Sequence, residues 1–343
     1  MICPKDRSRL SPASDGSLRC ERGHAYPVVE GVPVLLRDDV AQTMKLAGRS
    51  LARARGDVDV IDARSPDLFL ESLGISEAEK TLAAELGRSG GSTIDPVASV
   101  IIGATSGHAY RHLIGRLDTY PIPDLPLPDG NGKTLLDIGC NWGRWSIAAA
   151  RKGYRVVGID PSLGAVMAAN RIARQLGLEI DYVVGDGRYL PFEDMTFDLV
   201  FSYSVIQHFN KTDALRTIDE VGRVLNKSGR SLIQMAHWFG LRSLYHQSRR
   251  RFREAAAFEV RYWTIREMHD AFASRIGATT IGPHCYFGLG LEASDADLMP
   301  KHLKLLLRCS DGLRRLGTRW PFLTRVADSV YVSSRRGEDA GAR

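Results

Sequence analysis

The stretch Thr134 to Asp160, TLLDIGCNWGRWSIAAARKGYRVVGID, constrains this chain more than any other. Thr134 to Ile138 is an apolar run without alternation, the pattern of a strand buried on both faces. Gly139 and Gly143 bracket a turn where backbone must approach something closely. Arg144 to Lys152 has helical composition, Gly153 stands where a C-terminal helix cap belongs, and Tyr154 to Ile159 is a second apolar strand ending at Asp160. Strand, tight turn, helix and strand make the nucleotide-binding half of a parallel α/β sheet, with the ligand at the strand tip and helix N-terminus. An acid closing the second strand can accept hydrogen bonds from ribose hydroxyls, so Asp160 is the expected ribose ligand.

The turn decides which nucleotide. A dinucleotide fingerprint needs three glycines so that pyrophosphate can rest on the helix N-terminus, and the matching positions here are Gly139, Asn141 and Arg144. Two of the three fail, which argues against a nicotinamide or flavin cofactor. A glycine-rich loop ending in Lys-Ser or Lys-Thr is also missing, which argues against a nucleoside triphosphate. The stretch instead resembles the first two motifs of class I S-adenosylmethionine-dependent methyltransferases, with an Asp-x-Gly-x-Gly-x-Gly pattern. Asp137, Gly139, Asn141 and Gly143 follow it and depart only at the middle glycine. The resemblance implies that Asp137 orients the methionine ammonium end of the cofactor, directly or through water. Gly139, Cys140, Asn141 and Gly143 give it room, and Asp160 with Pro161 meets the ribose. Taken alone, the unit is also compatible with a structural βαβ segment that binds nothing.

The same resemblance extends downstream. A helix from about Ser162 to Leu176 precedes the strand Tyr182 to Val184, then Gly185-Asp186-Gly187, where Asp186 would accept from the adenine amino group with Gly187 beside the ring. The fourth strand, Phe197 to Ser202, ends in Ser202-Tyr203-Ser204-Val205, not the Asn-Pro-Pro-Tyr-like motif of exocyclic-amine methyltransferases, and it carries no cysteine nucleophile. Ser202 is taken as a further cofactor contact, Tyr203 as a site-lining residue and His208 as a general base, because imidazole titrates near pH ~6.5. His208 can equally brace the helix Asp213 to Leu225. LNKSGR then stands where the family reads Leu-Lys-Pro-Gly-Gly, ahead of the strand Ser231 to Met235. Five elements agree in order over about 100 residues, and the expected fold is α/β: a doubly wound, seven-stranded Rossmann-like sheet.

Around that core the chain divides into residues 1–36, 37–128, 129–335 and a disordered tail 336–343, with substrate-cap insertions at about 238–275 and 288–325. Residues 1–36 resemble, as a separate small unit, the zinc ribbons at the N-terminus of some ribosomal RNA guanine methyltransferases and the ribbon that activates tRNA methyltransferases. Cys3, Asp6, Cys20 and His24 occupy the ligand positions, with Asp6 where the family has cysteine. Two readings stand: a bound zinc, or a degenerate ribbon held by Tyr26, Val28, Val32, Val34 and Leu35. Residues 37–94 read as helical connector, with a Ser76–Glu79 capping box and a flexible break from Gly87 to Gly91. Asp95-Pro96 opens a helix to about Leu117 that carries Ser106, His108, Tyr110, Arg111 and His112. Tyr110 and Arg111 are candidate substrate contacts on that pocket-covering helix.

Past Ala236, Arg242 and Tyr245 are further substrate candidates in a basic, aromatic stretch that also holds Arg249, Arg250, Arg251 and Arg253. Thr264 to Glu267 is a capping box, and strands near Thr279 to Phe287 and Ser329 to Ser333 suit an antiparallel pair closing the sheet. Leu298 to Trp320 reads as a basic amphipathic helix, either a lid packed on its own domain or a segment lying on an anionic membrane. A net charge of +6 suits an acidic partner such as nucleic acid, phosphorylated small molecules or a membrane surface, without discriminating among them. Five scattered cysteines make no disulfide framework, and without a leader segment or a long apolar run the expected location is the cytoplasm, with peripheral membrane contact as the variant. The expected activity is methyl transfer from S-adenosylmethionine to a small or lipid-linked acceptor, at a hydroxyl. An RNA base methyltransferase is the first alternative, and a non-catalytic cofactor-binding or partner-activating module the second. Nothing in the sequence assigns an oligomeric state.

Overall fold

The computed structural model describes residues 1–41, 45–56, 81, 85, 93–105, 109–288 and 292–337. The Ser76–Glu79 capping box, the Gly87 to Gly91 break, Ser106, His108 and the tail past residue 337 lie outside the described residues. The chain forms two compact units, residues 1–193 and 194–343.

In the first unit, β1 (Leu10–Pro12), β2 (Leu18–Cys20) and β3 (Ala25–Tyr26) form a three-stranded antiparallel ribbon, and β4 (Val28–Val29) pairs with β5 (Val32–Pro33). This N-terminal part closes onto the rest of its unit. Val34 bridges Val184 in parallel, Leu35 N–H donates to Val184 O at 2.7 Å, and Val32, Val34 and Leu36 share a buried cluster with Leu163, Val166, Met167 and Tyr182. The helix α1 (Lys45–Arg55) adds Ala47 and Leu51 to that cluster. Residues 1–36 therefore pack on the parallel strands and share their core.

The helix α2 (Pro96–Ala104) begins as expected, with Asp95 Oδ1 accepting from the N–H groups of Val97 and Ala98. It stops at Ala104, short of Leu117. Thr105, Ser106 and Gly107 are three weak helix formers in a row, and Thr105 Oγ1 donates back to Ile102 O at 3.1 Å. A single 3-10 turn, Arg111–Leu113, follows. Then come β6 (Thr134–Ile138), α3 (Arg144–Arg151), β7 (Arg155–Asp160), α4 (Leu163–Gln175) and β8 (Ile180–Val184), with β6, β7 and β8 parallel and in consecutive register. Ser162 caps α4 by accepting from Ala165 N–H. Asp95 also reaches across to α4, where Arg171 Nε donates to its Oδ2 at 2.7 Å.

The second unit carries β9 (Phe197–Tyr203), α5 (Lys211–Val224), β10 (Leu225–Ala236), α6 (Leu241–Arg249), α7 (Ile265–Arg275), β11 (Gly277–Cys285), α8 (Lys301–Arg319) and β12 (Ser329–Arg336). β9 and β10 are parallel, while β12 runs antiparallel to both β10 and β11. The strands make one seven-stranded sheet in the order β11-β12-β10-β9-β6-β7-β8, the Rossmann-like order expected of the parallel set with an antiparallel pair at one end. The register pairs Ala236 with Ser329 and Ser329 with Cys285, so the start of β12 and the end of β11 lie at the carboxyl edge of β10. The Thr264–Glu267 capping box is complete. On α8 the stripe Leu307, Ser310 and Gly317 is buried: Ser310 Oγ accepts from Tyr286 N–H, and a Cβ on Gly317 would lie 2.8 Å from Pro283. One face of α8 is thus packed on its own unit, while Leu305, Leu316, Trp320, Phe322 and Val326 stay exposed.

Candidate functional site

The carboxyl tips of β6 and β7 bring Asp137, Gly139, Asn141, Gly143 and Asp160 together. Asp137 is 1% exposed, and Ser146 Oγ, one turn into α3, donates to its Oδ2 at 2.6 Å. Burial, with the Asp160 charge added, pushes the Asp137 carboxyl up to about 7; burial pushes Asp160 up to about 6. Asp160 accepts one backbone N–H at each oxygen, from Ser162 at 2.8 Å and from Asn141 at 3.1 Å. Each oxygen keeps a lone pair for a further donor.

The turn explains the missing glycine. Gly139, Asn141 and Gly143 all have positive φ, at +76°, +52° and +86°. Asparagine is among the few non-glycine residues that tolerate this region, so Asn141 fills the middle position without breaking the turn. A Cβ on Gly143 would lie 2.5 Å from the Tyr182 hydroxyl, which makes that glycine a packing requirement as well. Tyr120 stacks on Trp142 at 5.9 Å between ring centroids and fastens the chain over the turn, its hydroxyl accepting from Asp95 N–H and donating to Gln175 Oε1.

These residues fit S-adenosylmethionine on two counts. Asn141 Oδ1 is buried without a hydrogen-bond partner, so the turn holds an acceptor in want of a donor. Asp137 is a buried carboxyl with no cation paired to it among the described residues, a place for an ammonium group. Asp186 behaves otherwise: Arg188 N, Nε and Nη2 all donate to its carboxylate, and both residues are buried. That pairing takes up the oxygens expected to meet adenine. The sequence signal was the arginine two positions on. Gly187 is buried next to Asp186, Cys140 is buried under the turn, and Pro161 is half-buried beside Asp160. Tyr110 is 1% exposed under the Arg144 guanidinium, which corrects the expectation that it faces substrate; Arg111 is half-buried in the following 3-10 turn.

In the second unit Ser202 is buried within β9, opposite Ile233, and Tyr203 is the last residue of that strand. Tyr203 Oη donates to Glu292 Oε1 at 2.6 Å and lies 3.4 Å from His284 Nε2. His284 Nε2 in turn donates to Glu292 Oε1 at 3.0 Å, and its Nδ1 is 2.7 Å from Ser329 Oγ. Burial alone would lower the imidazole; the Glu292 carboxylate, joined by Cys285, outweighs it and pushes His284 up to about 10. Burial also raises the Tyr203 phenol. His284 and Glu292 were not singled out in the sequence, because each stands alone in its segment: His284 near the end of β11 and Glu292 ahead of a 3-10 turn, Ala293–Leu298.

His208 sits elsewhere in its chemistry. Its Nδ1 donates to Phe258 O at 2.8 Å and its ring lies parallel to Phe258, 3.9 Å between centroids. Burial pushes it down to about 4. Gln207 beside it is buried and accepts from Ala236 N–H, locking the turn after β9 onto β10. Arg242 and Tyr245 are exposed on α6, with Tyr245 under the Arg249 guanidinium.

At the N-terminus, one donor atom each from Cys3, Asp6, Cys20 and His24 all lie within 4.8 Å of one another. His24 Nδ1 is 3.5 Å from Cys3 Sγ, 3.4 Å from Cys20 Sγ and 3.0 Å from Asp6 Oδ2. Ser8 N and Oγ both donate to Asp6 Oδ1, which turns Oδ2 toward the sulfur and nitrogen atoms.

A doubly wound α/β sheet with acids closing two adjacent strands and an open turn between them is a nucleoside-binding protein of the Rossmann-like class. Residues 135–229 match the family described as Methyltransferase domain, so this chain carries a class I S-adenosylmethionine-dependent methyltransferase domain. It is 33% identical over 98 residues to a ubiquinone biosynthesis O-methyltransferase from Azorhizobium caulinodans, covering 29% of this chain and 38% of that one. It is 35% identical over 133 residues to norajmaline N-methyltransferase from Rauvolfia serpentina, covering 38% and 44%. The chain thus spans less than half the length of these curated relatives. Among solved structures, YcgJ from Bacillus subtilis is 18% identical with a TM-score of 0.40, over 61% of this chain and 94% of that one. Among the described residues no helix is long and apolar enough to cross a membrane.

Proposed function

We propose that this protein transfers the methyl group of S-adenosylmethionine to a hydroxyl of a small or lipid-linked acceptor. The observation that carries the reading is the turn between Asp137 and Asp160, with its unpartnered Asn141 Oδ1 and two carboxyls held above their usual range. When bound, the cofactor would supply a sulfonium methyl carbon open to direct attack by an acceptor oxygen, the O–C bond forming as the C–S bond breaks and S-adenosylhomocysteine leaves. Asp137 takes the ammonium end and Asp160 the ribose, and the glycine turn gives them access.

A hydroxyl acceptor gives up a proton as its oxygen attacks. The Tyr203, Glu292 and His284 group receives it: Glu292 is the carboxylate, and Tyr203 and His284 orient it. His208, held near 4 and hydrogen-bonded to Phe258, is a brace in this reading. The exposed basic face of α8 serves as the outer wall of the acceptor region, with an anionic membrane as the surface a lipid-linked acceptor comes from. The test uses cofactor with a labelled methyl group, purified protein and an extract from source cells lacking the gene, separated into lipid, small-molecule, RNA and protein fractions. Label in the lipid or small-molecule fraction is the expected result; label confined to RNA overturns it.

We also propose that Cys3, Asp6, Cys20 and His24 hold one zinc ion. Zinc bonds of about 2.3 Å to sulfur and 2.0–2.1 Å to nitrogen in a tetrahedron set sulfur and nitrogen roughly 3.5 Å apart, close to the spacing here. Ser8 supplies the orienting contact that carboxylate ligands require.

A further inference from the structure

The turn that ends α6 gathers positive charge in one concavity. A cavity of about 620 Å³ is lined by His246, Arg249, Arg250, Arg251 and Arg253 against a single carboxylate, Glu259. That carboxylate is already taken, with Arg253 Nη1 and Nη2 donating to its two oxygens at 2.8 and 2.6 Å. Arg249, Arg250 and Arg251 have no carboxylate partner among the described residues. A helix C-terminus accounts for one nearby cation, since the favourable end of the dipole is small and local. It does not account for four guanidinium groups in five residues.

The wall is fixed in place. Arg250 Nη1 donates to Val260 O at 2.9 Å and its guanidinium lies over the Tyr262 ring, 5.4 Å from the centroid. Arg251 and Phe252 adopt left-handed backbone, φ +54° and +55°, held by Arg251 N–H to Ser248 O and Phe252 N–H to Gln247 O, both 2.8 Å. Gln247 is itself buried and donates to Trp238 O at 3.0 Å. His246 Nε2 and Arg250 Nε, on two of the lining residues, are buried without a hydrogen-bond partner. Burial lowers the His246 pKa, the charges of Arg242, Arg249 and Arg250 lower it further, and the Asp328 carboxylate opposes them without reversing the shift.

From this arrangement we propose that the cavity binds a phosphate or diphosphate group carried by the methyl acceptor. The assignment rests on the methyltransferase reading for the identity of the carrier, but not for the anion itself. Guanidinium forks match phosphate oxygens in pairs, and Arg249 and Arg251 offer two such forks at the cavity. The cavity follows the carboxyl end of β10, the side of such a sheet on which ligands collect. The carrier is a soluble phosphorylated molecule or a phospholipid-like one; the phosphate chemistry is shared.

The test uses the full chain and two titrations in one buffer at low salt, S-adenosylhomocysteine and inorganic pyrophosphate, for wild type and for the double variant Arg249→Gln with Arg251→Gln. Both residues are exposed, and unchanged affinity for S-adenosylhomocysteine certifies that the variant is folded. The expected result is saturable pyrophosphate binding by wild type, weakened roughly ten- to hundredfold in the variant, with Arg251→Lys falling between. Vesicles of phosphatidylcholine with and without phosphatidic acid separate the carriers: arginine-dependent flotation assigns a lipid, and pyrophosphate binding without flotation assigns a soluble molecule. Equal pyrophosphate binding by wild type and variant, no binding by wild type, or arginine-dependent retention of a short RNA with no pyrophosphate binding overturns the proposal. Failure of S-adenosylhomocysteine to bind wild type removes the methyltransferase reading instead and leaves the anion site to be judged by pyrophosphate alone.

Discussion

The backbone N–H of Asn141 lies 3.1 Å from Asp160 Oδ2, so the turn after β6 and the acid that ends β7 are joined by one hydrogen bond. The bond requires Asn141 at φ +52°, where its amide direction is set by left-handed backbone. Glycine adopts that conformation freely and a β-branched residue does not. Asn141→Gly keeps that backbone but removes the Oδ1 acceptor, so its S-adenosylhomocysteine affinity is expected to fall by about three- to tenfold. Asn141→Val costs about 1–3 kcal/mol of backbone strain and should weaken binding by about tenfold or more. Calorimetric titration measures both; a valine variant that binds like wild type would show that this turn is not the cofactor cradle.

Asp137 and Asp160 give the protein an unusual response to pH. Their folded pKa values, about 7 and about 6, lie above the unfolded value near ~3.9, so between pH ~4 and ~7 the folded state binds more protons than the unfolded one. Stability from these two groups is present below that window and is lost as pH rises through it. His208 acts in the opposite sense: burial lowers it to about 4, so its share is lost as pH falls from ~6.5 toward ~4. Asp137→Asn isolates the first effect. Its denaturation midpoint should fall less than that of wild type from pH 5 to pH 8. S-adenosylhomocysteine brings an ammonium group and therefore favours the ionised carboxylates, so wild-type binding should tighten over the same range, with proton release visible in buffers of different ionisation enthalpy. Binding that weakens as pH rises would contradict the assignment of Asp137 to the ammonium.

The parallel strands and the turn could be read from the sequence because each is written locally. An apolar run, paired glycines and a closing acid lie within 27 residues, from Thr134 to Asp160. Asn141 looked like a departure from the glycine pattern, yet its backbone angle makes it a conservative replacement. Tyr110 was expected on a pocket-covering helix running to about Leu117, but the helix ends at Ala104 and the ring is buried beyond it. His284 and Glu292 were invisible for a different reason. They meet Tyr203 across the fold, 81 and 89 positions away along the chain, and no local pattern encodes such a meeting.

His208 and Glu292 separate under mutation. His208→Phe keeps the stack on Phe258 but loses the Nδ1 hydrogen bond to its carbonyl, which should lower stability by about 1–2 kcal/mol. Methyl transfer into the responsive extract fraction should remain within a few-fold of wild type. Glu292→Gln keeps an acceptor for the Tyr203 hydroxyl but removes the carboxylate, and transfer should fall by roughly a hundredfold with the cofactor affinity intact. The reverse pattern, with transfer abolished by His208→Phe at an unchanged denaturation midpoint, would return the base to His208.

The N-terminal cluster makes the most direct claim about composition, because two thiols, an imidazole and a carboxylate converge where an empty ribbon needs only apolar contacts. Tyr26 Oη lies 3.1 Å from Cys3 Sγ and burial raises the Cys3 thiol, while the Ser8 hydrogen bonds hold the Asp6 carboxyl well below its usual range, so without an ion a protonated thiol is crowded against a carboxylate. Zinc would hold both sulfurs as thiolates and pull the ribbon closed on Val34 and Leu35, which are themselves tied to Val184. Purified protein should then contain about one zinc per chain by mass spectrometry. Cys20→Ser should lower that content to a small fraction and reduce the denaturation midpoint, whereas Asp6→Cys should retain the ion because it restores a ligand set of three thiolates and one imidazole. Because residues 1–36 share their core with β8, metal removal should also loosen the strand that leads to Asp186, visible as faster amide exchange at Val183 and Val184. Wild-type protein that carries no zinc and keeps the same midpoint in chelator would mean that Asp6 has ended metal binding and that apolar packing alone holds the ribbon.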